Sequence, residues 1–343
     1  FALHGIYGRL RWAQLLAPAE NLARFGFPVS RALAADLAEV EGALAAEPQV
    51  RQIFSGPEGG LLVREGDLLA QPDLARALAL IRTNGPAEFY TGKLGEEFLA
   101  GVRAAGGTLE GKDLADYQPV WRKPLTVGYD DRKAYFTPPP PAGGGLVGQM
   151  WAILVKDSRW LDAKEGLRDA VLVDAGRRAF ADRPLWGSSP ADPQELVSSA
   201  RIDMLIGEAG AVPTPSSGEP PLPENPAAAT FVVLDREGTA VACAVTLNSL
   251  FGTGRVAEGT GIVLAALPGP GGRGAAMLGP MVVVQPRGRQ FVFAGAAAGG
   301  VAAPTALVDV AARSLLADQP LAAATSAARM HSGGVASVVY SEP

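Results

Sequence analysis

The first third of the chain repeats apolar residues every three or four positions, which is the period of an amphipathic helix. Over residues 12–25 this face includes Leu15, Ala19 and Leu22, and Gly26 predicts the end of the helix. The same spacing predicts three more helices, which begin at the capping residue Ser30, at Asp73 and at Leu94.

Beyond this helical third, the apolar residues follow the two-residue alternation of β-strands. Segments 125–127 and 134–136 flank the turn residues Asp130 and Asp131, and two further hairpins are predicted at residues 230–246 and 281–294. Helices followed by hairpins predict an α+β fold with antiparallel sheets.

A proline-rich segment, residues 138–145, has four prolines, one alanine and three glycines. Prolines are excluded from helix interiors and central strands, and the glycines permit a sharp reversal into an amphipathic helix predicted over 146–155. The segment is equally typical of a linker and of a pocket wall. Further helices are predicted over 165–182 and 303–316, and the strongest linker signal is the Pro/Ser/Glu-rich stretch 212–226.

Composition narrows the classes of function. The chain has 343 residues, 48% of them hydrophobic and 19% charged, which is enough apolar material for a globular core. Lys and Arg number 30 against 35 Asp and Glu, so the net charge of −5 argues against a nucleic-acid partner. No long uncharged apolar run predicts a membrane span.

Metal and thiol chemistry are also disfavoured. The single cysteine, Cys243, excludes an internal disulfide and a Cys-based zinc site, and two histidines are too few for a His-rich metal centre. Of the two, His331 is expected at a helix end or turn rather than as a ligand. No G-x-S-x-G motif supports a serine hydrolase, and nothing in the sequence indicates a cofactor.

Several segments resemble the gamma-glutamyltransferase (gamma-glutamyltranspeptidase) family in collinear order. The most specific is Thr-Leu-Asn-Ser-Leu-Phe-Gly-Thr-Gly at residues 246–254, followed by Gly-Thr-Gly-Ile at 259–262. The remaining similar segments are residues 7–12, 16–19, 26–30, 84–92, 113–117, 138–144 and 179–183.

The resemblance implies an N-terminal-nucleophile hydrolase fold, in which two stacked antiparallel sheets lie between helical layers in a four-layer αββα arrangement. It also implies self-cleavage just before a threonine, giving a large-subunit-like part, 1–227, and a small-subunit-like part, 228–343, of one intertwined domain. The freed α-amine, with a pKa near 8, would be the base that activates the threonine hydroxyl. Family segments are expected beyond both ends of this sequence.

By the same resemblance, the substrate is a small-molecule amide or a peptide of glutathione metabolism. The acyl group passes to water or to an amine acceptor. The implied location is periplasmic or secreted, with a cytoplasmic location left open.

The expected nucleophile position falls on Ala228, which has no oxygen to attack with. Three explanations stay open: an engineered alanine replaces a native threonine, Thr230 takes the catalytic role two residues later, or the protein is a natural non-enzyme. Thr230 is also explained as an ordinary strand threonine.

Other expected site positions match the family. Thr246 and Asn248 correspond to residues beside the nucleophile and the substrate. The glycine pair that supplies oxyanion donors corresponds to Ala298, Gly299 and Gly300, within one residue. We expect residues 246–248, 275–276 and 298–300 to converge at the start of the Thr230 strand.

Four further positions depart from the family. The acidic pair that holds the substrate α-amine falls on Gly269 and Pro270, and a serine pair falls on Ala275 and Ala276. Because recognition of a free glutamyl head depends on such polar groups, a less polar acyl head is predicted. The leading hypothesis is an amidohydrolase or acyltransferase seen as an uncleaved or inactive form. The alternative is a pseudoenzyme that keeps the fold as a binding or scaffold protein.

Overall fold

The structure is a computed structural model that describes residues 1–56, 62–183, 192–207, 227–268, 277–332 and 339–342. The predicted linker 212–226 lies outside these residues. The helices are α1 (Ala2–Tyr7), α2 (Trp12–Phe25), α3 (Arg31–Glu39), α4 (Glu41–Ala46), α5 (Pro48–Phe54), α6 (Pro72–Asn84), α7 (Ala87–Tyr90), α8 (Lys93–Ala104), α9 (Gly111–Ala115), α10 (Ala142–Lys156), α11 (Arg159–Asp162), α12 (Glu165–Ala181), α13 (Ser199–Gly207), α14 (Ala303–Leu315) and α15 (Leu321–Ser326).

The strands are β1 (Phe27–Pro28), β2 (Leu68–Leu69), β3 (Leu125–Tyr129), β4 (Arg132–Phe136), β5 (Ala228–Leu234), β6 (Ala240–Thr246), β7 (Val256–Ala257), β8 (Ile262–Val263), β9 (Met281–Gln285), β10 (Gln290–Gly295), β11 (Met330–His331) and β12 (Tyr340–Ser341). The chain forms two compact units. The first contains residues 1–121 and 249–266, and the second contains residues 122–248 and 267–343. The predicted boundary at 227/228 concerns processing rather than packing, and it stays a prediction.

The first unit is mainly helical, as the spacing of its apolar residues predicts. Gly26 ends α2 with φ +85°, a conformation that glycine adopts without strain. The Ser30 side chain accepts a hydrogen bond from the N–H of Leu33 at 3.2 Å and so caps α3. Between α2 and α6, the buried Glu20 carboxylate binds two guanidinium groups, those of Arg24 and Arg82.

The second unit is built on an antiparallel sheet with the strand order β10-β9-β4-β3. In its register Val127 pairs with Ala134, and Ala134 pairs with Val283 on the other side. Helix α10 contacts β3 and β4, and it packs against α12 and α14. Its side chains Leu146, Met150 and Trp151 are completely buried in the core of this unit.

A second antiparallel pair, β5 and β6, forms a hairpin with seven paired positions from Ala228↔Thr246 to Leu234↔Ala240. The N–H of Thr239 donates to the Asp235 carboxylate at 2.7 Å, which fixes the predicted turn. Strand β6 contacts β9 and β10. The hairpin therefore packs on the four-stranded sheet within the second unit.

The structure corrects the prediction for the glycines of segment 138–145. The glycines do not form a reversal, because α10 already begins at Ala142. The helix is also not amphipathic, since residues 142–154 are all buried. A Cβ placed on Gly143 would lie 2.5 Å from the Met277 carbonyl carbon. The glycines thus allow close packing against a neighbouring backbone rather than a turn.

The expectation for His331 was also wrong. It lies on strand β11, which pairs with β12, and its side chain is buried rather than at a helix end or turn. Among the described residues, no helix combines the length and apolar character that a membrane span requires.

Candidate active site

The start of β5 and the end of β6 form the centre of the candidate site. Ala228 and Thr246 are directly paired across the hairpin, so their side chains lie on the same face. The Thr246 hydroxyl donates a hydrogen bond to the backbone carbonyl of Ala227. That carbonyl belongs to the peptide bond immediately before position 228.

The turn after β6 positions the Thr246 hydroxyl. Its Oγ1 accepts a hydrogen bond from the N–H of Asn248 at 2.9 Å, a local side-chain-to-backbone turn that Thr favours. Asn248 has φ +64°, in the left-handed region that Asn tolerates better than most residues. The hydroxyl is therefore held between one donor and one acceptor, with its own proton directed at the Ala227 carbonyl.

Gly299 and Gly300 follow β10 and lead into a short 3-10 helix, Gly300–Ala302, and then into α14. Their φ angles are +134° and +63°, so Gly299 has a conformation that other residues rarely adopt and Gly300 lies in the left-handed region that favours glycine. Within the described ranges, no acceptor takes the N–H group of either residue. Successive glycines with free N–H groups can bind a developing negative charge.

The other predicted positions are placed as follows. Thr230 lies on β5 opposite Ala244, two residues along the same face from Ala228, and its hydroxyl makes no hydrogen bond within the described ranges. Ala298 precedes the glycine turn. Ala275 and Ala276, like Gly269 and Pro270, lie outside the described residues.

The structure thus brings Thr246 and Asn248 to the start of β5. It places the glycine pair after β10, a strand that contacts both β5 and β6. Convergence of the glycine pair with Thr246 stays a prediction. Sequence reasoning missed the role of Ala227, because it contributes a backbone carbonyl that no side-chain motif marks.

No charged side chain is contributed by Thr246, Asn248 or residues 298–300, so the chemistry here depends on hydroxyl and peptide groups. In the part of the chain that the structure describes, no group of three or more His, Cys, Asp or Glu side chains is placed to hold a metal ion.

The whole chain, residues 1–343, matches the family model described as gamma-glutamyltranspeptidase. The chain belongs to this family. This confirms the resemblance that the collinear sequence segments indicated.

Two curated relatives of this gamma-glutamyltranspeptidase-family chain illustrate its range. The glutathione hydrolase proenzyme of Escherichia coli (strain K12) is 32% identical over 274 residues, which cover 75% of this chain and 46% of the relative. The acylase ACY 1 proenzyme of Pseudomonas sp. (strain SE83) is 31% identical over 269 residues, covering 75% and 47%. The chain therefore spans about half the length of these curated relatives.

A solved structure shares the fold. The cephalosporin acylase from Bacillus halodurans superposes with a TM-score of 0.76 at 23% identity, covering 96% of this chain and 63% of that chain. This likeness confirms the predicted mixed fold of helices and antiparallel sheet.

Proposed function

We propose that the protein is a gamma-glutamyltranspeptidase-family amidohydrolase or acyltransferase that acts through a threonine acyl-enzyme at position 228. The form with Ala228 is then an uncleaved, inactive precursor. One observation carries the proposal: the Thr246 hydroxyl donates to the carbonyl of Ala227, at the peptide bond that self-cleavage would break.

Maturation begins with a threonine hydroxyl at position 228. The hydroxyl oxygen attacks the Ala227 carbonyl carbon, the C–N bond between residues 227 and 228 breaks, and the proton passes to the departing amine. Water then hydrolyses the resulting ester. Since Thr246 already donates to the carbonyl oxygen, it would stabilise the negative charge that develops there. With alanine at 228, the attacking oxygen is missing.

The same residue then becomes the catalytic nucleophile. Its freed α-amine takes the hydroxyl proton while the oxygen attacks a substrate amide. The N–H groups of Gly299 and Gly300 would stabilise the tetrahedral oxyanion, and the amine leaves with the proton. Water or an amine acceptor finally receives the acyl group.

The substrate class follows from the positions that differ from the family. Gly269 and Pro270 replace an acidic pair, and Ala275 and Ala276 replace two serines. Losing one charge-assisted hydrogen bond to a substrate ammonium costs on the order of 1.5–3 kcal/mol, roughly 10- to 150-fold in affinity. An acyl amide or peptide with a less polar head is therefore favoured over glutathione. The relative named acylase ACY 1 supports this choice.

For the whole protein we infer a four-layer αββα arrangement, assembled from a large subunit ending at residue 227 and a small subunit beginning at residue 228. A periplasmic or secreted location is inferred from family membership. The packing of β6 against β9 and β10 supports the stacked sheets.

Thr230 is a less well supported nucleophile. The carbonyl before it belongs to Ala229, the second position of the β5–β6 ladder, where Ala229 pairs with Val245. The Thr246 hydroxyl instead contacts the carbonyl before residue 228. The scaffold alternative also explains Ala228, but neither the family match nor the relatives named as a glutathione hydrolase and an acylase favour it.

The test is the Ala228→Thr variant, with Ala228→Val as the matched control because valine has the shape of threonine without the hydroxyl. We expect Ala228→Thr to yield two fragments on a denaturing gel and Ala228→Val to stay intact. Amino-terminal sequencing should start at residue 228. A start at Thr230, or a full-length Ala228→Thr chain after long incubation, contradicts the proposal.

Substrate choice is tested on the cleaved Ala228→Thr protein. Its hydrolysis of a gamma-glutamyl anilide is compared with that of the des-amino analogue, which lacks the ammonium group. We expect the des-amino compound to react faster. A clear preference for the free gamma-glutamyl anilide would refute the predicted acyl head while leaving the nucleophile assignment intact.

A further inference from the structure

His331 is a buried histidine at the junction of three elements of the second unit. Its side chain is 7% exposed, and its Nδ1 lies 3.0 Å from the Thr305 hydroxyl on α14. The Phe180 ring on α12 lies 5.8 Å away and the Tyr340 ring on β12 lies 6.2 Å away, centroid to centroid. The imidazole thus joins the β11–β12 pair to two core helices.

The second nitrogen of the ring has no hydrogen-bond partner in the part of the chain that the structure describes. Nε2 of His331 is buried and makes no hydrogen bond to any described residue. A neutral imidazole can leave this nitrogen as a bare acceptor, which carries no charge. Protonation places an N–H bond and a positive charge there, and both are costly to bury without an acceptor.

Helix α14 carries one carboxylate, that of Asp309, whose Oδ1 is bound to Arg313 and whose Oδ2 makes no hydrogen bond within the described residues. Asp309 lies one turn after Thr305 and binds Arg313 at 2.8 Å. Arg313 also binds Asp169 of α12 at 2.5 Å. The two carboxylates on this side therefore already share one guanidinium group.

The remaining charged groups around the ring are balanced or positive. Arg177 of α12 lies 3.4 Å from the Ser332 hydroxyl, and within the described residues it has no carboxylate partner. Arg329, two residues before His331, binds Glu342 at 2.8 Å. Among the described residues, no carboxylate makes a hydrogen bond or an ion pair with the His331 ring.

We propose that His331 is a pH-sensitive latch, which holds the β11–β12 pair against α12 and α14 while its imidazole is neutral and releases the pair when the imidazole is protonated. In the open state, water hydrates the charged ring and supplies the acceptor that the core lacks. The inference is independent of the nucleophile at position 228.

The direction of the effect follows from burial, which lowers the pKa of His331 below its usual value of about 6.5. The open state binds the proton more readily than the closed state. The stability of the latch is therefore fully present above about pH 6.5 and is lost as the pH falls below it. Between pH 7.5 and 5.5, the ratio of open to closed states rises by up to about tenfold.

Hydrogen exchange of the full chain at pH 7.5 and 5.5, corrected for the intrinsic rates, measures this ratio. We expect exchange in residues 327–332 and 339–342 to rise up to about tenfold at pH 5.5. Helix α8, in the other unit, serves as an internal reference. Equal corrected rates at the two pH values would overturn the proposal.

Two variants assign the response to one residue. His331→Asn removes the titrating group and should abolish the response, whereas His4→Gln should keep it because His4 lies on α1 of the first unit. Since these are the two histidines of the chain, His4→Gln also leaves a single imidazole signal for NMR titration. That signal should titrate below pH 6.5. A higher value, or a response that persists in His331→Asn, would show that another group is responsible.

Discussion

Replacing Gly143 by alanine should destabilise the second unit, although alanine is the better helix former. Gly143 is the second residue of α10, where Gly→Ala would ordinarily stabilise by about 0.5–1 kcal/mol. Here the new Cβ would lie 2.5 Å from the carbonyl carbon of Met277 and 2.7 Å from that of Leu278. Both neighbours are backbone atoms and cannot rotate away.

The expected magnitude combines these two effects. Overpacking a well-filled core costs about 1–3 kcal/mol, which exceeds the gain in helix propensity. A net loss of about 1–2 kcal/mol is expected for Gly143→Ala. Gly176→Ala is the matched control, since Gly176 lies inside α12 and its new Cβ would make only ordinary van der Waals contacts, with the Met150 methyl group at 3.6 Å and the Ser332 carbonyl oxygen at 3.9 Å. This variant should be more stable by about 0.5–1 kcal/mol.

Urea unfolding followed by tryptophan fluorescence measures both variants. Trp151 and Trp160 are completely buried in the second unit and report on its unfolding. The reasoning is wrong if Gly143→Ala matches or exceeds the parent protein in stability. It is also wrong if the two substitutions change stability in the same direction.

Three further predictions address the site and its surroundings. In the Ala228→Thr protein, Thr246→Val should slow self-cleavage by about 5- to 15-fold, since a hydrogen bond to a charged oxygen is stronger by about 1–1.5 kcal/mol than one to a carbonyl. Gel densitometry measures the cleavage rate, and the control Thr246→Ser should retain most of it. Gly299→Ala should lower kcat in the cleaved protein, because φ +134° is unfavourable for alanine and the backbone N–H would shift. An unchanged kcat would refute the expectation that this backbone conformation matters for catalysis. Burial raises the pKa of Asp309, so its carboxyl stabilises the fold below its ordinary pKa of 3.8 and loses that contribution as the pH rises. Urea unfolding between pH 4 and 7 should therefore show a free energy of unfolding that depends less on pH in Asp309→Asn than in the parent protein.

Local signals were sufficient for much of the fold. The Ser30 cap, the helix end at Gly26 and the hairpin turn at Asp235 all depend on residues within a few positions of one another. Such interactions are encoded in short segments. Family membership followed from motifs such as residues 246–254, since their order along the chain is itself sequence information.

Long-range packing defeated the same reasoning at two places. The space at Gly143 is limited by a distant backbone, that of Met277, which packs directly against it. His331 is buried because α14 supplies Thr305 as its partner. Met277 lies 134 residues from Gly143 and Thr305 lies 26 residues from His331, and both separations exceed the reach of a local pattern. The Ala227 carbonyl that accepts the Thr246 hydrogen bond carries no sequence signal.

The β5–β6 hairpin bears on how the chain behaves in solution. Phe231 and Val233 are 52% and 56% exposed, and Val232 and Leu234, which point to the opposite face, are 42% and 50% exposed. Apolar side chains are thus exposed to water on both faces of β5. The β5–β6 hairpin also forms a sheet of only two strands, and among the described residues no third strand pairs with its edges. Exposed apolar strands with unpaired edges can pair with strands of other chains. Purified alone, the chain should self-associate as its concentration rises, and a charged residue at Val233 should keep it monodisperse.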